Sequence, residues 1–553
     1  MFYYFKSVCL SKRTGTAMLL VITFVAILNC FYATEISDCH NKRYKYVQTR
    51  YGTVRGHTVN NDYIAFLGIP YAEPPIGNNR FKAPKPPQPW TIVYDANRTT
   101  KCPQKGEGEE DCLVLNIFTP MISPETPIPV LFYIHGGSFI MGAGPTAGVE
   151  YLIKQNIIVV TINYRLGALG FLCLGIKDAP GNAGLKDQVA ALKFVRNNIA
   201  QFGGDPKQVT VYGMSAGGAS VEYLMLSSMS RRLFHQAIIE SGSATAPWAL
   251  DRNPSNTAMK ISRLMNVPKT DFAKILAEHY KGMPVELLTE MTFEYYNNLT
   301  DGTFGFAPCV EKYTGEEHFL TRAPSDILKR GKFRKIPTMF LFSTLEGLYL
   351  RSTEYYELNY RERMESNFLE FLPADLITQK DEVRHEIAES IKRFYFGNRS
   401  DDIVVQHLNY FGDSLILHSL MTSVEAHSKC NPVYLMEFAY KGKIGGYDYF
   451  YENSNVAGHG DVVKYAILNK NPKEEADKIT VRRVSSLIGN YVKYGNPTPS
   501  VTPLLPIRWP TVSRENVTCL YLDREFQVFS HPYWDRKTFW DDIYNTSKRK
   551  KKH

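Results

Sequence analysis

The strongest constraint on the fold is a series of continuous apolar segments that alternate with helical patterns. Segments such as Ile157 to Arg165 and Pro337 to Gly347 are rich in β-branched and aromatic residues, as expected for strands covered on both faces. Between such segments, Asp187 to Phe202 carries apolar residues at helical spacing. This alternation predicts an α/β fold, with a large, mostly parallel, twisted central sheet flanked by helices. No repeat or linker divides the chain, so we predict one domain over residues 46–541.

Composition places the chain among globular proteins and excludes a nucleic-acid partner. Of 553 residues, 44% are hydrophobic and 22% are charged. The net charge of +9 comes mostly from the two ends, since Lys548 to Lys552 alone supplies five positive charges. The body keeps a net charge of about +1, which is too small for a nucleic-acid footprint. We expect residues 542–553 to form a basic, disordered tail.

The N-terminus predicts secretion. Residues Ala17 to Ala33 are almost entirely apolar and follow Lys12 and Arg13, which is typical of a secretory signal. We therefore predict a signal peptide over residues 1–33 and an extracellular protein. Phe31 makes a poor cleavage site, so an uncleaved single-pass anchor is the alternative, and only then would we expect stable membrane association.

A glycine-flanked serine is the first sign of catalysis. The sequence Gly213-Met214-Ser215-Ala216-Gly217 follows a strand-type segment and precedes a helical run. This is the context of a nucleophile elbow, a sharp turn that exposes the serine hydroxyl. A chance match to this loose pattern is the alternative, but the strand–turn–helix context favours a nucleophile.

A second glycine-rich turn offers backbone donors for a developing oxyanion. His135 to Ser138 ends an apolar strand, and glycines there leave backbone N–H groups accessible. A plain tight turn is the alternative. A nucleophile also needs a base, and the base needs an acid that orients it. His459 lies in a glycine-flanked loop before a helical run, and Glu346 closes an apolar strand between Ser215 and His459.

With these motifs the chain resembles the carboxylesterase/cholinesterase family (type-B carboxylesterases), in its invertebrate secreted branch. The order of Ser215, Glu346 and His459 along the chain matches that of the family. The segments similar to family blocks are Ala65 to Trp90, Glu109 to Pro120, Asn163 to Leu172 and Gly181 to Pro206.

The resemblance implies an α/β-hydrolase fold and hydrolysis of a small-molecule ester through an acyl-enzyme. Ser215 is then the nucleophile, His459 the base and Glu346 the acid that holds the imidazole. No metal or cofactor is implied. The oxyanion hole would be formed around Gly136, Gly137, Ser138 and Ala216.

Further roles follow from the resemblance alone. Ser241 and Asp461 are expected to support the acid–base pair. Trp248 and Phe304 match the family's acyl pocket, although core packing explains Phe304 equally well, and Gly302 indicates a roomier pocket. Buried ion pairs are expected for Arg80–Glu110 and Arg165–Asp187.

The cysteines and sequons fit a secreted glycoprotein. Cys102 and Cys112 resemble the family's first disulfide with a shortened loop, which removes the segment that carries the choline-binding tryptophan of cholinesterases. The odd count of seven cysteines after the leader leaves at least one free thiol. We expect buried free thiols, with some pairing as the alternative, at Cys173, Cys309, Cys430 and Cys519. Predicted glycosylation sites are Asn97, Asn298, Asn398, Asn516 and Asn545.

The sequence therefore predicts a serine esterase for small to medium apolar carboxylic esters. A dedicated juvenile-hormone-type esterase is one alternative, and Met214 counts modestly against it because members of that group typically carry Gln at this position. Many other family members carry Glu there, so that acid is missing near the elbow. A non-catalytic adhesion or binding homologue is the other alternative, and the intact set of triad residues counts against it. Venom-type and detoxifying roles, and the oligomeric state, stay open.

Overall fold

The computed structural model describes residues 44–265, 273–350, 359–376, 380–397, 402–445, 456–468 and 470–549. The predicted leader, Cys39 and the sequon at Asn398 lie outside the described residues. The predicted domain limits, 46 and 541, fall inside the first described strand and the last described helix.

One sheet organises the described chain. Its strands are β1 (Tyr44–Gln48), β2 (Thr53–Val59), β3 (Tyr63–Pro70), β4 (Tyr94–Asp95), β5 (Val114–Thr119), β6 (Ile128–Ile134), β7 (Ile158–Ile162), β8 (Gly204–Met214), β9 (Gln236–Glu240), β10 (Thr338–Ser343), β11 (Val433–Phe438), β12 (Thr518–Leu522) and β13 (Phe526–Ser530). They form a 13-stranded sheet in the order β1-β2-β3-β5-β7-β6-β8-β9-β10-β11-β12-β13, with β4 beside β2.

The centre of the sheet is parallel and its edges are antiparallel. Strands β7, β6, β8, β9, β10, β11 and β12 pair in parallel. The pairs β1–β2, β2–β3, β3–β5, β5–β7 and β12–β13 are antiparallel. The prediction of a mostly parallel sheet is confirmed for the centre. Short turns join β1 to β2, β2 to β3 and β12 to β13, and such turns can join only antiparallel neighbours, whereas the two-residue β4 pairs with β2 in parallel.

Both faces of the central strands are buried, which explains their continuous apolar sequence. In β10, Phe340 and Phe342 face one apolar cluster, whereas Met339 and Leu341 face another on the opposite side. A strand that must fill two helix-covered faces cannot alternate apolar with polar residues.

Helices cover these faces. They are α1 (Glu150–Ile153), α2 (Gly167–Phe171), α3 (Ala183–Asn198), α4 (Ala216–Leu226), α5 (Pro254–Leu264), α6 (Ala273–Gly282), α7 (Val285–Asn297), α8 (Pro324–Lys329), α9 (Gly347–Leu350), α10 (Tyr360–Ser366), α11 (Asp381–Phe396), α12 (Ile403–Gly412), α13 (His418–Ser428), α14 (Asp461–Ala466), α15 (Glu475–Tyr494) and α16 (Trp534–Arg549). A π-helical turn, Asp413–Leu417, joins α12 to α13. Within the described residues, no helix is both long and apolar enough to cross a membrane.

The C-terminal helix corrects one prediction. Helix α16 continues to Arg549, so the expectation of disorder from residue 542 is wrong for residues 542–549. Its inner face is anchored, since Ile543 and Ser547 are buried and the Tyr544 hydroxyl donates to Asp375 Oδ1 at 2.8 Å. The basic residues that suggested a tail begin only at Lys548, on the last turn of this helix.

Two expected ion pairs are present. Arg165 and Asp187 are 2% and 0% exposed and lie 2.5 Å apart, whereas Arg80 and Glu110 lie 2.7 Å apart and are partly exposed. A further buried pair, Lys186 with Glu311 at 2.5 Å, was not predicted. Its lysine lies next to Asp187 on α3, so two buried ion pairs anchor this helix to its surroundings.

Candidate active site

Ser215 occupies a strained turn between β8 and α4. Its φ and ψ are 58° and −120°, a region that non-glycine residues rarely adopt. The turn is tight, since a Cβ built on Gly213 would lie 2.1 Å from the Gly217 carbonyl oxygen. The Ser215 amide donates to the Glu240 carbonyl at 2.8 Å, and the residue is 4% exposed. This geometry is that of a nucleophile elbow at a helix N-terminus.

The loop after β6 lies against this turn. A Cβ built on Gly136 would lie 2.6 Å from the Met214 carbonyl oxygen and 3.0 Å from the Cβ of Ser215, so only glycine allows the approach. Gly137 and Ser138 follow with φ of 105° and 55°. Ala216 begins α4, where backbone N–H groups lack helical partners. Of the four residues predicted for the oxyanion hole, Gly136 therefore lies against Ser215, Ala216 follows it in the chain, and Gly137 and Ser138 continue the loop that begins at the adjacent parallel strand.

Glu346 connects the candidate base to a second serine. Its Oε2 lies 2.6 Å from His459 Nδ1, and its Oε1 accepts from the Ser241 hydroxyl at 2.7 Å. Oε1 also accepts from the Ser343 amide at 2.7 Å. The side chain of Glu346 is 3% exposed and that of His459 is 9% exposed. A carboxylate with these donors is held in one orientation and fixes the imidazole.

The His459 loop is held by its own carboxylate. Asp461 Oδ2 accepts from the Gly458 amide at 2.9 Å, while Oδ1 pairs with Lys464 at 2.9 Å. Burial raises the pKa of Asp461. A Cβ built on Gly460 would lie 3.1 Å from Met214 Cε, so the residue before the candidate nucleophile packs against the residue after the candidate base.

The two aromatic residues predicted for the acyl pocket stack on each other. The rings of Trp248 and Phe304 are 5.0 Å apart at 19°, and Trp248 Nε1 donates to the Leu415 carbonyl at 2.8 Å. Leu415 belongs to the π-helical turn, and its Cδ2 lies 2.5 Å from a Cβ built on Gly302. The space next to Gly302 is thus occupied by Leu415, which corrects the expectation that this glycine enlarges the pocket.

The structure holds two disulfides among its described cysteines. Cys102–Cys112 is present as the resemblance implied. Cys173 and Cys309, expected as free thiols, are instead joined across 136 residues. Cys519 is a buried free thiol as expected, and burial raises its pKa well above the usual value. Cys430 is also free but exposed, because it lies in the turn that follows α13.

Four sequons lie in the described part of the chain. Asn97, Asn298 and Asn545 are exposed, as attachment of a glycan requires. Asn516 is half-buried, and its Oδ1 is buried without a hydrogen-bond partner. Their glycosylation stays a prediction.

Sequence reasoning missed two buried acids near the nucleophile. Glu240, the last residue of β9, has its pKa raised to about 8, chiefly by burial. Glu222, on α4, accepts from the Ser243 hydroxyl and the Ala244 amide and lies 3.1 Å from His427. A charged residue inside a continuous apolar strand was the available signal for Glu240. Among the described residues, no group of three or more His, Cys, Asp or Glu side chains could hold a metal ion.

Comparison with known proteins agrees with this geometry. The described sheet and its elbow define an α/β hydrolase. A solved structure of juvenile hormone esterase from Manduca sexta, with OTFP covalently attached, superimposes with a TM-score of 0.82 at 28% identity and covers 91% of this chain and 100% of that one. Esterase FE4 of Myzus persicae is 33% identical over 512 residues, which is 86% of this chain and 88% of that protein.

The juvenile hormone esterase of Tribolium castaneum is 32% identical over 495 residues, which is 82% of this chain and 84% of that protein. Residues 43–540 match the carboxylesterase family. The chain belongs to this family and is a carboxylic ester hydrolase, which acts on small-molecule esters.

Proposed function

We propose that the protein is a secreted serine carboxylesterase in which Ser215, His459 and Glu346 form the catalytic triad. One observation carries the proposal: the buried Glu346 carboxylate lies 2.6 Å from His459 Nδ1, while Ser215 sits on the strained turn at the start of α4. The packing of Met214 against Gly460 supports it, because it brings the two loops together.

In the first half-reaction, Ser215 Oγ bonds to the ester carbonyl carbon while His459 Nε2 takes the hydroxyl proton. Glu346 keeps Nδ1 protonated, so that Nε2 is free to act as the base, and stabilises the imidazolium that forms. The carbonyl oxygen becomes an oxyanion, which the N–H groups of Gly137, Ser138 and Ala216 stabilise. The bond to the alcohol oxygen then breaks, and His459 returns the proton to the leaving alcohol.

The second half-reaction repeats this sequence with water. His459 takes a proton from the water molecule as its oxygen bonds to the acyl carbon. The tetrahedral intermediate collapses, the bond to Ser215 Oγ breaks, and the serine recovers its proton from His459. The products are the carboxylic acid and the free enzyme.

The experiment that tests this function measures hydrolysis of p-nitrophenyl acetate by the purified secreted protein and by Ser215→Ala. We expect the variant to fold and to lose hydrolysis by more than about a thousand-fold, because the nucleophile is absent. Ser227→Ala is the matched control, since Ser227 directly follows the same helix, and its hydroxyl donates to the Phe319 carbonyl and accepts from the Met229 amide. A serine-directed organophosphate should label the peptide that contains Ser215 and no other.

Two results would refute the proposal. Undiminished hydrolysis in Ser215→Ala would show that Ser215 is not the nucleophile. A wild-type protein that neither hydrolyses the ester nor takes up the label would favour a binding role.

Esters with acyl groups of different length test the proposed acyl pocket. We propose small to medium apolar esters as substrates, because the stacked pair of Trp248 and Phe304 is fully buried and apolar. Replacing Phe304 with Ala should raise hydrolysis of a p-nitrophenyl ester of a longer acid relative to the acetate. An unchanged ratio, with lower thermal stability, would assign Phe304 to core packing alone.

A further inference from the structure

Glu240 adjoins the segments that carry the proposed triad. It is the last residue of β9, it is fully buried, and it precedes Ser241, whose hydroxyl donates to Glu346. The carbonyl of Glu240 accepts from the amide of Ser215 at 2.8 Å. Its main chain therefore contacts the nucleophile turn and leads directly into the contact with the catalytic acid.

The side chain of Glu240 reaches a third segment. Its Oε1 accepts from the Val463 amide at 3.1 Å, and Val463 lies in the first turn of α14, just after His459. Its Oε2 hydrogen-bonds to the hydroxyl of Tyr212, which lies on β8 just before the elbow. One carboxyl group therefore joins the strand of the nucleophile to the helix that follows the base.

We propose that Glu240 is a positioning residue, whose buried carboxyl group holds the Ser215 turn and the His459 loop at a fixed separation. The inference rests on the triad proposed above and adds a residue that the triad itself does not require.

The surroundings of Glu240 favour a neutral carboxylic acid. The titratable groups that face it are Tyr212 from β8, Tyr133 from β6, Glu346 from the turn after β10 and Asp461 from α14. Lys464, which lies next to Val463 on α14, is paired with Asp461 at 2.9 Å. Burial, with the charges of Glu346 and Asp461, raises its pKa to about 8, so it is neutral at pH 7.

A neutral acid can be imitated by an amide. In Glu240→Gln, the amide oxygen can accept from Val463 N–H and the NH₂ group can donate to Tyr212, so both contacts survive without a titratable group. In Glu240→Ala, both contacts are lost and Tyr212 keeps a buried hydroxyl without its partner. The two variants therefore separate the geometric role of the side chain from its charge.

The experiment measures kcat and KM for p-nitrophenyl acetate from pH 6 to pH 10 in wild type, Glu240→Ala and Glu240→Gln. Glu437→Gln is the matched control, because Glu437 is also a buried glutamate with a raised pKa and accepts from a tyrosine hydroxyl, that of Tyr533, at 2.7 Å. Thermal unfolding and circular dichroism follow the fold of each variant.

We expect Glu240→Ala to lower kcat at pH 7 by about ten-fold to a hundred-fold with little change in KM, because the reacting groups are displaced and binding is not. Wild-type kcat should decline as pH rises through about 8, where Glu240 would ionise, whereas Glu240→Gln should keep wild-type kcat at pH 7 and lack that decline. Glu437→Gln should keep that decline.

Each other outcome overturns the inference. Wild-type kcat in Glu240→Ala would refute the positioning role. A decline of kcat above about pH 8 that persists in Glu240→Gln would refute it too. If Glu240→Ala fails to fold, the pH profile of Glu240→Gln decides alone. A wild-type enzyme without esterase activity would instead refute the proposed function, which is a separate result.

Discussion

The buried pair of Arg165 and Asp187 offers a direct test of the fold. The guanidinium donates twice to the carboxylate, from Nε to Oδ2 at 2.7 Å and from Nη2 to Oδ1 at 2.5 Å. The side chains are 2% and 0% exposed. Replacing Asp187 with Leu leaves a guanidinium without its counter-charge where water cannot reach it. We expect a loss of about 3–5 kcal/mol in the free energy of unfolding, since breaking a buried pair costs this much.

Urea denaturation of the oxidised protein measures this loss. Glu365→Ala is the control, because Glu365 pairs with Arg361 on the surface, where the side chains are 60% and 55% exposed, and its loss should cost less than about 1 kcal/mol. A double variant, Arg165→Met with Asp187→Leu, should be more stable than Asp187→Leu alone, because no unpaired charge remains. The reasoning fails if Asp187→Leu loses no more free energy of unfolding than Glu365→Ala does. It also fails if the double variant is less stable than Asp187→Leu.

Further outcomes concern the crosslinks and pH. Removing the disulfide Cys173–Cys309 should lower the free energy of unfolding by about 5 kcal/mol, and removing Cys102–Cys112 should lower it by about 3 kcal/mol. The two disulfides close loops of 136 and 10 residues, and the entropy of loop closure rises with length. Equal shifts of the denaturation midpoint would contradict this. Because the folded pKa of Glu240 is raised from 4.5 to about 8, the folded state holds a proton that the unfolded state loses, so stability falls as pH rises from 4.5 to about 8. The difference corresponds to about 5 kcal/mol at most, and Glu240→Gln should remove it, which unfolding curves at pH 5 and pH 9 would show.

The sequence predicted the parts of this molecule that depend on local pattern. Continuous apolar runs placed the central strands, because a strand between two helical layers has no polar face to display. The glycines around Ser215 predicted the elbow, and a Cβ at Gly213 or Gly217 would indeed meet a carbonyl oxygen at 2.1 Å. Each of these features is determined by residues that are neighbours in the chain.

The missed features depend on contacts between distant residues. Cys173 and Cys309 are 136 residues apart, and only the packing of their loops brings them together. The space next to Gly302 is filled from the π-helical turn by Leu415, more than a hundred residues later in the chain. Helix α16 was missed at its end because its last buried residues, such as Ile543 and Ser547, are followed directly by the basic run Lys548 to Lys552, which resembles a solvated tail.

The arrangement of the site follows from the order of the strands. Ser215, Ser241, Glu346 and His459 follow, in this order, the strands β8, β9, β10 and β11. These four strands are neighbours in the sheet and run in parallel. Because the carboxyl ends of parallel neighbours meet at one edge, Ser215, Ser241 and Glu346 are brought to that edge before any loop is considered. His459 reaches it through a long connection after β11, so its position depends on contacts that tie its loop to the sheet, one of which is the Leu345 amide donating to the Ala457 carbonyl at 3.0 Å. The contact between Val463 and Glu240 is another such contact, which is why the site should depend on that carboxyl group more than on the length of the connection.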